Sequence, residues 1–185
     1  GQDKFPAGDD YILYDSKNLS VDNPRKCASD ELPLIDGKII PDDGEKGFNE
    51  CKIVEIYFEA DYRTYLDNGS SENETTNFVT AMFNVVALLY DKESIDTRIS
   101  TIKVWTVDDN YPTSSSTSAL YSFRSRLGGS FDGDIAQLLS TVPANNGGVA
   151  FVGVLCTPSY AVSYSNIRNS FSTFPTYSWT VEVVT

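Results

Sequence analysis

The sequence contains no histidine and has few methionine, tryptophan and cysteine residues. Its 185 residues include no His, one Met, two Trp and three Cys. Chemistry that depends on an imidazole is therefore excluded for these residues. Three is an odd number of cysteines, so at least one thiol has no disulfide partner within the chain. The longest apolar run, Val149 to Cys156, is far shorter than the roughly 20 residues that a helix needs to cross a bilayer, which argues against a membrane span.

Positive charge is also scarce. The formal net charge is −12, and residues 1–109 carry all of it, with 23 acidic and 11 basic residues. This excess of negative charge argues against a nucleic acid or an anionic membrane as the partner. A solvated acidic surface explains it most simply. Cation binding and an acidic pro-segment remain as alternatives.

Two regions differ in composition. Residues 1–51 are rich in Asp, Gly, Pro and Lys, which predicts a loop-rich extension or pro-segment with one or two short strands. Residues 52–185 alternate apolar strand and helix patterns, and this length fits one domain with a hydrophobic core. We therefore place a boundary near Cys51.

The patterns in the second region predict five strands and three helices. The predicted strands are Lys52–Ala60, Ile99–Val107, Asp134–Val142, Gly148–Cys156 and Tyr160–Ile167. The predicted helices run from a Ser71/Glu74 capping box to about Tyr90, from Ser118 to Leu127, and from Ser178 onward. Strands joined through helices pair in parallel, and the short later connections add an antiparallel edge. The predicted fold is an α/β three-layer domain with a mixed, mostly parallel, twisted sheet.

The last stretch, FPTYSWTVEVVT from Phe174 to Thr185, has the pattern of the first turns of a helix. Val181 and Val184 lie three apart, on one face. No Gly, Asn or Pro stop signal follows Thr185. We therefore expect the sequence to end inside an element.

Four stretches together resemble the reprolysin-like (adamalysin-type) metzincin metallopeptidases, most closely the secreted bacterial members. They are IVEIYFEADYRTYLD, DIAQLLS, GGVAFVGVLCTPSYAVS and WTVEVVT, spread over residues 52–185. The resemblance implies the N-terminal subdomain of that fold. It also implies that HExxHxxGxxH would come next, in which three His bind zinc and Glu is the general base. The resemblance thus implies that the full-length parent protein is a secreted zinc metalloendopeptidase. This segment alone is expected to be inactive.

The resemblance places substrate binding at Gly147, Gly148, Val149 and Ala150, where the family's edge strand begins. An exposed edge offers unpaired backbone groups, so an extended peptide can add to it as a strand. Small residues let the backbone of the peptide approach closely. A Gly-Gly hairpin turn without a ligand role is the alternative. The same exposed edge predicts self-association.

Two carboxylates match a structural calcium site that some family members have. They are Glu55 and Asp134. Calcium requires several hard oxygen ligands, and two carboxylates alone do not make a site. The alternative is one surface carboxylate and one residue at the start of a strand.

The cysteines allow two assignments. NPRKCASDELP, around Cys27, resembles the cysteine switch of metzincin pro-segments, in which a thiolate binds the zinc. Ala28 departs from that pattern, where the family usually has Gly. The alternative is a Cys27–Cys51 disulfide, which we favour slightly. The resemblance pairs Cys156 with a cysteine beyond Thr185, so we expect a free thiol here.

Two other functions compete with that of a peptidase segment. One is a non-catalytic module that binds peptides or proteins on the same scaffold. The other is a pro-segment-type inhibitor of the parent enzyme.

Overall fold

The computed structural model describes residues 53–112, 114–143, 147–155, 157–173, 176 and 178–185. In these ranges the chain forms five strands and four helices. In chain order they are β1 (Ile53–Ala60), α1 (Tyr62–Asp67), α2 (Glu72–Lys92), β2 (Asp96–Val104), α3 (Ser116–Leu127), β3 (Ile135–Ser140), β4 (Gly148–Ala150), β5 (Val162–Asn166) and α4 (Trp179–Val184).

The strands form one sheet in the order β2-β1-β3-β5-β4. The pairs β1–β2, β1–β3 and β3–β5 are parallel, and β4 pairs with β5 antiparallel. Strand β4 is therefore the antiparallel edge and β2 is the opposite edge. The predicted α/β class with a mixed, mostly parallel sheet is confirmed.

Two apolar clusters cover the two faces of the sheet. One holds Phe123 and Leu120 of α3 with Leu138 and Tyr164 of the sheet. The other holds side chains of α2 and α4, with Phe58 of the sheet among them. Helices on both faces of a central sheet make three layers, as the sequence predicts.

The helix ends follow the expected local chemistry. Ser71 caps α2, and its hydroxyl accepts a hydrogen bond from the Glu74 N–H at 3.2 Å. Gly128 ends α3 in the left-handed conformation, with φ of 60°. Both residues satisfy backbone groups that a helix end leaves unpaired.

Several predicted boundaries were wrong. Strand β2 begins three residues early, at Asp96, because its first residue pairs with Ile53 of β1. Helix α3 begins at Ser116, because Ser115 supplies the cap. Helix α1 was not predicted at all.

The fourth strand is much shorter than the predicted Gly148–Cys156. It ends at Ala150. Beyond it Gly153 adopts a φ of +73°, and Val152 is 75% exposed. The apolar residues after Ala150 thus belong to a loop, because a left-handed glycine breaks the strand. None of the helices in the described ranges has the length and apolar character needed to span a membrane.

Candidate functional site

The edge strand β4 borders a cleft in the described part of the chain. The cleft has a volume of about 810 Å³, and its walls come from β4, β5, the end of α4 and the buried face of α2. The predicted residues Gly147, Gly148 and Val149 are buried, and Ala150 is half-buried. Gly148, Val149 and Ala150 pair with Ser165, Tyr164 and Ser163 of β5. The opposite side of β4 pairs with no strand in the described part of the chain.

Gly148 is required by the fold itself. A Cβ atom at this position would lie 2.7 Å from Cγ2 of Val183 and 3.3 Å from its carbonyl oxygen. Real Cβ contacts are not this short, so the missing side chain lets α4 lie directly against β4. The small residue at this position therefore admits a helix of the same chain. Its predicted role in letting a peptide backbone approach stays a prediction.

Helix α4 is fixed at its start by two side chains. The Trp179 ring is buried, and its Nε1 donates to the Asn166 carbonyl oxygen at 2.9 Å. The Thr180 hydroxyl donates to the carbonyl oxygen of Ser170 at 2.7 Å and accepts from the Arg168 N–H at 3.1 Å. The WTVEVVT stretch thus begins with two anchors to the loop after β5.

The end of α4 is held by side chains of the sheet and of α2. The Ser165 hydroxyl donates to the Val183 carbonyl oxygen at 2.9 Å. Gln137 Nε2 donates to the Ser165 Oγ at 2.8 Å, and Tyr90 donates to the Thr185 carbonyl oxygen. These donors satisfy carbonyls that the last turn of a helix leaves free. These contacts were not predicted, although a Gln in the middle of an apolar strand indicates a buried polar contact.

The loop after β4 presents apolar side chains near the cleft. Val152 and Leu155 are 75% and 50% exposed. Phe151 is buried beneath them and stacks edge-on against Tyr160, with ring centroids 5.2 Å apart. The Arg124 guanidinium lies 3.7 Å from the centroid of the Tyr160 ring. The base of the loop is therefore fixed while its tip is open to a partner.

Glu55 and Asp134 are adjacent in the structure. The Glu55 N–H donates to Asp134 Oδ2 at 2.9 Å, and the Asp134 N–H donates to the Glu55 carbonyl oxygen at 2.7 Å. The Glu55 carboxylate forms an ion pair with Arg98 at 2.7 Å. Asp134 thus joins the start of β3 to β1, and the arginine occupies the Glu55 carboxylate. The calcium site stays a prediction.

A buried carboxylate that the sequence analysis did not select lies at the end of β1. Glu59 is fully buried and accepts hydrogen bonds from Tyr111 at 2.6 Å, from Tyr57 at 3.0 Å, from Lys103 at 3.4 Å and from the Trp105 indole. Burial, and then the charge of Glu59, raise the pKa of Tyr57 far above its usual range. Glu59 thereby fixes the segment after β2 to the sheet.

Two further buried carboxylates, Asp61 and Asp109, contact the start of α1. Asp61 Oδ1 accepts from the N–H and the hydroxyl of Thr64, both at 2.7 Å. Asp109 Oδ2 accepts from the Tyr62 N–H at 2.6 Å. Burial raises the pKa of Asp61 to about 6, against the lowering effect of its hydrogen bonds from Ser140 and Thr64. The two carboxylates bind backbone and hydroxyl groups, so they build the loop rather than a catalytic pair.

The residues present do not fit a catalytic zinc ion. The sequence has no His, and in the described ranges no three His, Cys, Asp or Glu side chains come together. Catalytic zinc needs three protein ligands in a fixed array. Cys27, Cys51 and Cys156 lie outside the described residues, so the disulfide and the cysteine switch stay predictions.

Together, the fold and the cleft define an α/β sheet domain with an open edge strand beside a docked helix. Residues 50–185 match the Reprolysin_5 model of metallo-peptidase family M12. The chain therefore belongs to the M12 metallopeptidase family, which confirms the resemblance seen in its sequence.

A curated relative is similar to this chain over a small part of its own length. The mouse (Mus musculus) disintegrin and metalloproteinase domain-containing protein 23 is 32% identical over 103 residues, which is 51% of this chain and 12% of that protein. The chain thus spans a small part of this curated relative.

The comparison with solved structures finds similar chains, among them these two. A chain in a chaperone-substrate complex has a TM-score of 0.51 at 11% identity, over 71% of this chain and 23% of that one. Metalloproteinase-II from Bacteroides fragilis has a TM-score of 0.44 at 20% identity, over 64% of this chain and 38% of that one. The similarity to the chain in the chaperone-substrate complex shows a shared fold and nothing more.

Proposed function

We propose that these residues are the sheet domain of a secreted, zinc-dependent metalloendopeptidase of reprolysin type. In this proposal β4 binds the substrate as an added strand. The observation that carries the proposal is the position of β4, which is outermost in the sheet and borders the 810 Å³ cleft. Membership of the M12 family supplies the reaction class, the hydrolysis of peptide bonds.

The edge suits an extended peptide for two physical reasons. First, an edge strand can pair with an extended peptide through backbone hydrogen bonds that do not depend on the peptide's sequence. Second, the exposed Val152 and Leu155 offer apolar contacts to side chains of the peptide on one side of that ladder. The chain's own contribution is to hold and align the peptide.

In this proposal the zinc ligands belong to a longer polypeptide and not to these 185 residues. When bound, zinc lowers the pKa of a water molecule and polarises the scissile carbonyl. Helix α4 is anchored by Trp179 and Thr180 and lies against β4 at Gly148. We propose that this helix leads into the zinc ligands of the longer polypeptide. Calcium at Glu55 and Asp134 is a separate proposal, which titration with calcium would test.

The experiment compares this chain with the longer polypeptide of the same reading frame. Each is purified, its bound zinc is measured, and casein hydrolysis is followed with and without a chelator. We expect stoichiometric zinc and chelator-sensitive hydrolysis in the longer polypeptide alone. Zinc-dependent hydrolysis by the 185-residue chain would contradict the proposal.

A second function is favoured by the absence of His together with the open edge. A domain with these features can bind an extended peptide without cleaving it. If the longer polypeptide binds no zinc and leaves casein intact, while peptides still bind at β4, the binding-module function replaces that of a peptidase.

A further inference from the structure

The sheet has a second open edge, at β2. This strand has nine residues, Asp96–Val104, the most of any strand in the described ranges. Within those ranges it pairs with β1 on one side and with no strand on the other. Long edge strands without proline are templates for pairing with another strand.

The register with β1 shows which backbone groups point outward. The Trp105 N–H donates to the Ala60 carbonyl oxygen at 3.0 Å, so Ala60 directs its backbone groups toward β2. In a parallel pair, a residue whose N–H and C=O point toward the other strand bonds to the two residues that flank its register partner there. The N–H and C=O of the register partner itself point away from the pair. The partners of Val54, Ile56, Phe58 and Ala60 are Thr97, Ile99, Ile102 and Val104. These four residues therefore direct their N–H and C=O groups away from β1.

The side chains of the edge divide by face. Ile99, Ile102 and Val104 pack partly buried against the cluster that contains α2. At the start of the strand, Leu88 of α2 and Ile95 line a shallow depression with Asp96 and Thr97, and they are 62% and 39% exposed. An unpaired edge strand with apolar side chains at its start can pair with another strand and cover them.

We propose that β2 pairs antiparallel with β2 of a second copy of this chain. Two identical strands related by a twofold axis must run antiparallel, so the interface is self-complementary. The pairing adds hydrogen bonds at the outward residues and covers Leu88 and Ile95. This inference concerns assembly and is independent of the proposed peptidase function.

Charge favours one of two neighbouring registers over the other. Ser100 is the extra residue of a bulge, because Ile56 pairs with Ile99 and Tyr57 with Thr101. With the axis at Ile99, Asp96 lies opposite Lys103 of the second copy, and this pair of opposite charges occurs twice. With the axis at Thr101, Arg98 would lie opposite Lys103, and the like charges would repel. The Asp96 side chain is exposed, and Lys103 retains 41% exposure beside Glu59.

The dimer leaves the candidate substrate edge free. Strands β2 and β4 lie at opposite ends of the sheet, so pairing through β2 makes one continuous sheet with a β4 cleft at each far end. Both copies then keep an open edge. This arrangement differs from the self-association through β4 that the sequence analysis predicts.

The first test is sedimentation equilibrium of the full chain from micromolar to millimolar concentration. We expect a monomer–dimer equilibrium. Asp96→Lys places two lysine pairs across the axis and should raise the dissociation constant about tenfold or more. Glu182→Lys makes the same change of charge on the exposed face of α4 and should leave it within about threefold, since no cross-strand charge pair is altered.

The second test does not depend on a variant. Hydrogen exchange by NMR at low and high concentration should show added protection at the amides of Thr97, Ile99, Ile102 and Val104. The amides of Arg98 and Lys103, which face β1, should be protected equally at both concentrations. A strict monomer at millimolar concentration would overturn the proposal. So would a dimer that Glu182→Lys weakens more than Asp96→Lys, because that result places the interface at β4.

Discussion

Removing the Glu59 carboxylate should destabilise the domain strongly. Its oxygens accept hydrogen bonds from Tyr57, Tyr111, Trp105 and Lys103. Glu59→Ala leaves the buried Tyr57 and Tyr111, and the partly buried Trp105, without their acceptor. A buried donor without a partner costs about 1–3 kcal/mol. Lys103 is 41% exposed and turns to water, so its loss adds little.

Allowing for partial relaxation, Glu59→Ala should lower the free energy of unfolding by about 3–5 kcal/mol, which is within the range for two or three donors left without an acceptor. Glu59→Gln keeps one carbonyl oxygen as an acceptor and should lower it by about 1–3 kcal/mol. Glu55→Ala is the matched control on the same strand. Its side chain is 38% exposed and pairs with Arg98 alone, so we expect a loss of about 0–1 kcal/mol.

The assay is urea unfolding followed by tryptophan fluorescence and circular dichroism. We expect unfolding midpoints in the order wild type, Glu55→Ala, Glu59→Gln, Glu59→Ala, from highest to lowest. If Glu59→Ala is too unstable to purify, the Gln variant still reports the effect. Glu59→Ala or Glu59→Gln with the stability of Glu55→Ala would refute the idea that the carboxylate organises this region.

Three further predictions follow from single contacts. Gly148→Ala forces a Cβ against Val183 and should lower the free energy of unfolding by about 1–3 kcal/mol. In thermal melting, Gly148→Ala should cost less stability when Val183 is also changed to Ala. An equal loss of stability in both backgrounds would exclude the clash. The pKa of Asp61 is about 6 in the fold and 3.8 in its absence, so the folded state holds this proton more tightly. The stability contributed by Asp61 therefore falls as pH rises from about 4 to 6, by about 3 kcal/mol at most. The free energy of unfolding of Asp61→Asn, measured by urea titration, should therefore rise relative to that of the wild type across that interval. Ser71→Ala removes the cap of α2 and should cost about 1 kcal/mol, whereas Ser71→Gly should cost less by the same assay.

The sequence predicts the sheet well where local pattern and packing agree. Val54, Ile56 and Phe58 alternate along β1, and the structure packs all three against the cluster that contains α2. Ser71 correctly marks the start of α2 and Gly128 the end of α3, because capping depends on adjacent backbone groups alone. The antiparallel edge followed from the short connections around Gly148.

Features that depend on distant residues were not predicted. Glu59 binds Lys103, Trp105 and Tyr111, which lie 44, 46 and 52 positions away. Only its contact with Tyr57, two residues away on the same face, follows from the strand period. Lys103 lies opposite Glu59 on β2, and Trp105 and Tyr111 reach it from the segment after β2, whose path no local pattern defines.

The candidate site shows the same limit. Sequence placed Gly147–Ala150 at an edge, and the structure does so too. The pattern could not show that Gly148 makes room for Val183, because that contact joins elements 35 positions apart. It also could not show that the apolar residues after Ala150 leave the sheet, since a buried strand and an exposed apolar loop have similar composition.

Peptide binding at β4 tests the central claim most directly. Amide signals of the 185-residue chain are followed by NMR during titration with an extended apolar peptide, and with a matched peptide in which alternate backbone amides are N-methylated. We expect the first peptide to shift and protect the amides of Gly147–Ala150 while those of β2 stay unchanged, and the methylated peptide to have no effect. Shifts that avoid β4, or equal effects of both peptides, would contradict strand addition at this edge.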